Sequence, residues 1–359
     1  MRYQENKMFS DLIKKAETHY QNGLPFVLYR KPGDENVLGI FQNNTQLNTT
    51  SDYKSSGFVF APFDNQGKTI LLLADEMITA TYIVADERKR TYQLTYPGEL
   101  ERKKHLDLIG RAINQINTGH LKKVVLSRKT AFDTIVKPLS VFQEILALYS
   151  GALCYLWYHP GVGLWAGASP EIFLNIADDS LTTMALAGTQ KSIDDSPPVW
   201  GSKEVEEQAM VTSFILDAIR DKVSNLSSTE VVSVRAGNLW HLKTTITANM
   251  KGTSLKTIVN ALHPTPAVCG LPLKEAQKFL SQYEEYDREY YTGFLGELNL
   301  GKNSNSQLYV NLRCMQIRDT SVILYIGGGI TRDSVPENEW QETLDKTGIM
   351  ARALFNSNE

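Results

Sequence analysis

The first 95 or so residues carry short apolar runs, PFVLYR, VLGIFQ, FVFAPF, TILLLA and ATYIVA, separated by polar turns rich in Asn, Asp, Gly and Ser. Runs of this length bounded by turn residues predict antiparallel strands. From Tyr96 the period changes. In ERKKHLDLIGRAINQINTG, Leu106, Ile109, Ile113 and Ile116 are spaced as one helix face requires, and Gly119 ends the helix. KVVLSRK then predicts a strand, SVFQEILALYS a helix, and CYLWYH, LWAGAS and IFLNIA three further strands. Pro197 and Pro198 break the backbone ahead of a helix over roughly KEVEEQAMVTSFILDAIRDKV. The later runs VVSVRAG, LWHLKTTITANM, LYVNLRCMQI and VILYIGGGI predict strands, mixed with two helical stretches, and a closing helix starts near Val335. Without a regular βαβα rhythm, the class is α+β with much antiparallel sheet. The change of texture near residue 95 separates a strand-rich part, 1–95, from 96–359, but no linker divides them.

Composition narrows the partners. The 359 residues are 42% hydrophobic and 21% charged, long enough to bury a core without disulfides. With 37 Lys+Arg against 40 Asp+Glu, a net charge of −3 and no dense basic run, neither nucleic acid nor an anionic membrane is an expected partner. Cys154, Cys269 and Cys314 have no CxxC spacing, which fits a reducing, cytoplasmic setting. The opening MRYQENKMFSDLIKK lacks a signal-peptide core, and no apolar run is of bilayer length.

Two helices each carry a Glu-x-x-Glu pair, Glu204 with Glu207 and Glu339 with Glu342. Residues three apart share a helix face, so two such faces together could hold a hard divalent cation, with Mg2+ favoured. A single pair of this kind is ordinarily solvated surface. Ser334 with Glu337 fits a capping box that starts the last helix at Val335, and Lys346 lies four residues beyond Glu342 on one face, as in a surface ion pair. The glycines of IGGGI either let backbone amides approach an anion or mark a turn. Lys123 opens an apolar strand, where it either faces water at an edge or points inward as a base. Glu171 heads the IFLNI strand, where burial would suit it to donate a proton. His241 and His263 sit in apolar context, as core histidines do. No Ser-His-Asp order, P-loop or dinucleotide fingerprint is present.

Taken in order, KVVLSR, GASPEIFL, LAGTQ, SKEVEEQ, HPTPAVCGLP, DREYYTGFLGEL, NLRCMQI and YIGGGITRDSVPENEWQETLDK resemble the successive motifs of the chorismate-utilising enzymes, and among them the isochorismate synthases. The resemblance spans residues 123 to 346. It implies one α+β unit in which two halves of a large, mainly antiparallel sheet face each other, with helices outside. Lys123 is the implied general base for water, where relatives that add ammonia carry Gln; Glu171 is the implied general acid. Glu207 and Glu342 match direct magnesium ligands, and Glu204 and Glu339 the water-mediated ones. Arg313 and Tyr291 match the residues for the enolpyruvyl carboxylate, assisted by Gly329 amides and Lys346. Gly188, Thr189 and His241 match residues lining the ring. Ala267, where salicylate synthases and the ammonia users carry Thr, implies that reaction stops at isochorismate. Glu204 and Gln208 replace the more usual Asp and His, and LAGTQK lacks the usual Arg, yet neither change removes an implied catalytic group. The expected protein is a cytoplasmic monomer acting on chorismate with magnesium, for menaquinone or siderophore biosynthesis, without a glutamine amidotransferase subunit or room for a fused one. A salicylate synthase and a non-catalytic chorismate-binding protein are the alternatives.

Overall fold

Among the described residues the strand-forming runs pair into two ten-stranded sheets. The computed structural model describes residues 2–64, 68–83, 98–191, 196–236, 239–300 and 305–356. Across the first sheet the order is Arg2–Lys7, Glu76–Thr81, Asn36–Phe41, Phe26–Arg30, Leu153–His159, Gly163–Ser169, Cys314–Ile317, Ser321–Ile330, Lys123–Asp133 and Gly270–Leu271. The second runs Ser224–Ser228, Leu239–Asn249, Ser180–Lys191, Ile172–Ala177, Asn305–Val310, Phe294–Leu300, Gly57–Ala61, Thr69–Leu72 and Thr49–Thr50, with Val232–Ala236 also paired to Leu239–Asn249. Among the described residues only Arg2–Lys7 with Glu76–Thr81 is a parallel pair. Strands from either side of residue 95 share each sheet; the expected boundary itself lies outside the described residues.

The sheets face one another across an aromatic layer. Tyr29, Trp157 and Trp165 of the first meet Phe58, Phe60 and Tyr309 of the second, and the Phe60 and Trp157 rings lie 4.6 Å apart. Full burial of such rings is the largest apolar contribution per residue in the core. Helices cover the outer faces. α1 (Phe9–Gln21), α3 (Pro138–Leu148) and α7 (Pro336–Asn356) pack on the first sheet, α4 (Ser202–Ile219) and α5 (Leu255–Leu262) on the second. α2 (Glu99–Asn117) and α6 (Leu273–Tyr283) close the end that carries Lys123–Asp133. No helix among the described residues is long and apolar enough to cross a membrane.

Three local expectations need correction, and one open choice, that of the glycine run, is decided. α1 stands where the reading gave only strands, although Leu12 and Ala16 are spaced as a helix face and are fully buried. LYVNLRCMQI is not one strand: Asn305–Val310 belongs to the second sheet and Cys314–Ile317 to the first, with the chain crossing between them at Arg313. The three glycines are not a turn but the interior of the Ser321–Ile330 strand. The capping box does not form. Ser334 Oγ instead accepts from the Thr331 N–H at 3.0 Å, closing the preceding turn, while Glu337 reaches Arg102 at 2.7 Å.

Candidate active site

The Lys123–Asp133 strand is hydrogen-bonded on both sides where Lys123 leaves it. Gly270–Leu271 pairs with Val124 and Lys123, and Ser321–Ile330 runs along the other side with Gly329 opposite Val125. Lys123 is therefore not an edge lysine. Its side chain is 0% exposed, and Nζ lies 2.9 Å from Glu207 Oε1 of α4. Opposite charge holds the pair at this distance. The glycine row makes room for this contact. A Cβ on Gly329 would collide with Glu207 Oε1 and lie 3.2 Å from Lys123 Cε, and one on Gly327 would lie 2.6 Å from the Tyr291 hydroxyl.

Glu171 follows Pro170 in the crossing from Gly163–Ser169 to Ile172–Ala177, and its carbonyl accepts from the Val310 N–H at 3.0 Å. It is 4% exposed. Burial pushes its carboxyl up to about 8, against the opposing charge of Lys123, so it carries its proton at neutral pH. Glu207 goes the other way: burial alone would raise it, but Lys123, Lys203 and Lys346 together hold it below the usual carboxylate range. Glu339 is raised by burial, opposed by Lys203 and reinforced by Glu342. Lysines hold these carboxylates, Lys203 on Glu339 and Lys346 on Glu342 at 2.7 Å. Glu204 turns to its own helix start, accepting from the Gly201 N–H at 3.1 Å.

A cationic end completes the site. Arg313 has a left-handed backbone, φ 48°, where the chain changes sheets, and burial lowers its guanidinium to about 10, still charged at neutral pH. It donates to His241 Nε2 at 3.0 Å, and His241 Nδ1 lies 3.1 Å from the Gly188 carbonyl. Gly188, at φ +74°, forms the irregularity between Ala187 and Thr189 that turns this carbonyl toward His241; a Cβ there would lie 3.1 Å from Glu204 Cβ. Lys346 Nζ donates to the Gly327 carbonyl at 2.9 Å.

Glu171, Gly188, Thr189, Glu204, Glu207, His241, Ala267, Tyr291, Arg313, Gly329, Glu342 and Lys346 all line one cavity between the second sheet, α4, α7 and the glycine strand. Lys123 and Glu339 stand behind its wall, in contact through Glu207 and Lys203. His241 is thus a cavity residue, whereas His263 is a core histidine whose Nε2 meets the Pro62 carbonyl at 3.1 Å. Sequence reasoning missed Lys203, which lines the cavity four residues before Glu207 on α4, a spacing that was open to view. It also missed Tyr325, Thr292 and Val268, which carry no signal except position.

The described residues contain no cluster of three His, Cys, Asp or Glu side chains close enough to share an ion. Magnesium asks the protein for one or two carboxylates and takes the rest from water and an anionic ligand. Glu207 and Glu342 fit that share. They approach neighbouring glycines of one strand, Gly329 and Gly328.

A carboxyl that keeps its proton, a buried lysine and a cationic end around one cavity are the groups that acid–base chemistry on a small anion would use. The chain belongs to the chorismate-binding enzymes: the family pattern described as "Chorismate binding enzyme" matches residues 62–355. It is 32% identical over 259 residues to the isochorismate synthase MenF of Escherichia coli K12, a match covering 69% of this chain and 59% of that protein. The chain thus spans under two thirds of that relative's length. It is 25% identical over 316 residues to the isochorismate synthase DhbC of Bacillus subtilis 168, covering 82% of this chain and 79% of DhbC. The solved structure of E. coli MenF, the menaquinone-specific isochorismate synthase, superposes with TM-score 0.76 at 22% identity, over 92% of this chain and 88% of that one. Anthranilate synthase component I of Streptococcus pneumoniae TIGR4 superposes with TM-score 0.65 at 17% identity, over 91% and 92%. Proteins of two different names share the fold, so the fold does not choose the chemistry.

Proposed function

We propose that this protein is a magnesium-dependent isochorismate synthase, converting chorismate to isochorismate by addition of water at C2 and loss of the C4 hydroxyl. The observation that carries this reading is the pairing of roles in one site, Lys123 turned inward beside Glu207 and Glu171 held protonated on the cavity wall. Lys123 takes a proton from water while the water oxygen bonds to C2. Glu171 gives its proton to the C4 oxygen, which leaves as water. One water enters and one departs, so the net change is an isomerisation, and a proton passing from Lys123 back to Glu171 through solvent resets the pair.

Arg313 and Tyr291 take the enolpyruvyl carboxylate, and Lys346 with the Gly329 amide attracts the remaining anionic groups. Gly188, Thr189 and His241 shape the ring pocket. Glu207 and Glu342 would hold magnesium, with Glu204 and Glu339 on its waters. When bound, magnesium offsets the charge of the ring carboxylate. Lysine rather than glutamine at 123 favours water over ammonia as nucleophile, so no amidotransferase partner is required. Ala267 favours stopping at isochorismate, which would feed menaquinone or siderophore synthesis.

The test is incubation of the full chain with chorismate and magnesium, with products resolved chromatographically and pyruvate followed through lactate dehydrogenase. Isochorismate without pyruvate is expected. Pyruvate released in step with chorismate loss would make it a salicylate synthase, and chorismate binding in calorimetry without turnover would make it a non-catalytic binder.

A further inference from the structure

We infer that the buried Glu284–Arg288 pair is a positioning device that sets the strand of the general base against the loop carrying Ala267. The proposal rests on the isochorismate synthase reading for its catalytic meaning. Both side chains are 3% exposed, and the guanidinium forks onto the carboxylate with Nε to Oε2 and Nη2 to Oε1, each 2.7 Å. The other donors go to the cavity wall: Nη2 to the Val125 carbonyl at 2.7 Å, Nη1 to the Val268 carbonyl at 2.8 Å and to Thr292 Oγ1 at 3.4 Å. That engages all five N–H donors of an arginine. Glu284 Oε1 in turn accepts from the Ser127 N–H at 2.7 Å and its hydroxyl at 2.9 Å.

The sheet topology explains why side chains are used here. Gly270–Leu271 pairs only with Lys123 and Val124, and the Val125 N–H finds the Cys269 carbonyl at 2.8 Å. Beyond that point the Lys123–Asp133 strand has no neighbouring strand on this side among the described residues, as it ends the sheet save for Gly270–Leu271. Arg288 takes the Val125 carbonyl and Glu284 the Ser127 amide, the two groups a next strand would bind. The pair therefore acts as a surrogate strand. It also fastens Val268, beside Ala267, to Val125, two residues from Lys123, and all three of Val125, Val268 and Thr292 line the cavity. A fully buried ion pair often adds little stability over apolar side chains of the same volume. Its attachment to three segments of one cavity wall points to geometry as its role.

The test compares Arg288→Lys and the double variant Glu284→Met/Arg288→Met with the native full chain, using chorismate and magnesium. A lysine keeps the charge but cannot span all five acceptor contacts. Expected is a loss of about 10- to 100-fold in kcat per folded molecule, with a smaller rise in chorismate KM, since Arg313 and Lys346 sit on other elements and only Tyr291, whose N–H donates to the Arg288 carbonyl at 2.9 Å, is close to the pair. Amide hydrogen exchange is expected to speed up about tenfold or more in peptides covering 123–129 and 265–269, and to stay native in Phe26–Arg30 and Leu153–His159. The double variant is expected to stay folded and show the same kcat loss. Native kcat per folded molecule in a folded double variant would reduce the pair to a structural role and overturn the proposal, as would native exchange at 123–129 in Arg288→Lys. A native chain that leaves chorismate untouched refutes the functional reading alone, and the exchange pattern still decides the positioning claim.

Discussion

His241 accepts a 3.0 Å hydrogen bond from Arg313 through Nε2, and this one contact fixes the state of both residues. A guanidinium can only donate, so Nε2 must carry the lone pair and the ring proton must sit on Nδ1, facing the Gly188 carbonyl at 3.1 Å. Burial, with the charges of Arg313 and Lys346, pushes the imidazole down to about 3, so it stays neutral at physiological pH. It can then orient the arginine without adding positive charge of its own.

In the proposed site, removing that acceptor should loosen substrate binding before it touches chemistry. His241→Leu is expected to raise chorismate KM about tenfold, the worth of a hydrogen bond to a charged group, with a smaller change in kcat. Arg313→Ala should raise KM by at least as much. The double variant should fall close to Arg313→Ala alone, since the two act as a unit. Additive losses in the KM cycle would refute the coupling.

In the proposed reaction, Lys123→Gln should end water addition. The expected loss in kcat is at least about 100-fold, the lower range for a general base, and added ammonium salts test whether an external nucleophile then enters. Because the change strips a buried carboxylate of a counter-ion, Lys123→Gln/Glu207→Gln is the stability control. Retained turnover in a folded Lys123→Gln enzyme would remove Lys123 from its role.

Glu171 predicts two pH effects. In the proposed mechanism Glu171 must be protonated to donate, so kcat should fall as pH rises through about 8, and Glu171→Gln should cost about 100- to 10,000-fold. For stability the folded state holds this proton more tightly than the unfolded chain, whose carboxyl has its ordinary value near 4.5. The contribution is full below about 4.5 and is lost as pH rises through about 8. Glu171→Gln cannot ionise. Its Tm relative to native should therefore climb by a few degrees between pH 7 and pH 9, measured by calorimetric melting. A constant difference across that range would show that Glu171 is not held protonated.

Magnesium can be tested without turnover. Titration calorimetry with the metal alone should show Glu342→Gln and Glu207→Gln binding it about tenfold or more weakly than native, whereas Glu337→Gln, whose partner is Arg102 on the surface, should bind normally. Equal affinities in all four proteins would exclude these two glutamates as ligands.

Much of the fold was legible. Turn-bounded apolar runs marked most strands, and the 3, 4, 3 spacing in Leu106, Ile109, Ile113 and Ile116 marked α2, whose Ile109 and Ile116 are buried. The lapses have physical causes. A periodic face such as Leu12 and Ala16 is short and lies among strand-like neighbours, and LYVNLRCMQI reads as one run because the sheet change at Arg313 rests on a single left-handed residue inside it. The candidate residues could be named from ordered motifs, but each carried a bland reading that local pattern could not remove.

Residue types and their order by themselves determined an α+β chain and, through the ordered motifs, the candidate residues of the proposed site, while a net charge of −3 said nothing about that site. Only the tertiary structure decided which way those side chains face. Lys123 becomes a buried residue because Gly270–Leu271 covers its strand, and Glu207 reaches it because Gly329 has no Cβ. Glu171 keeps its proton because the two sheets exclude water around it. Burial and proximity between residues some 50 to 200 positions apart set these charges, and neither quantity is a property of a local stretch of sequence.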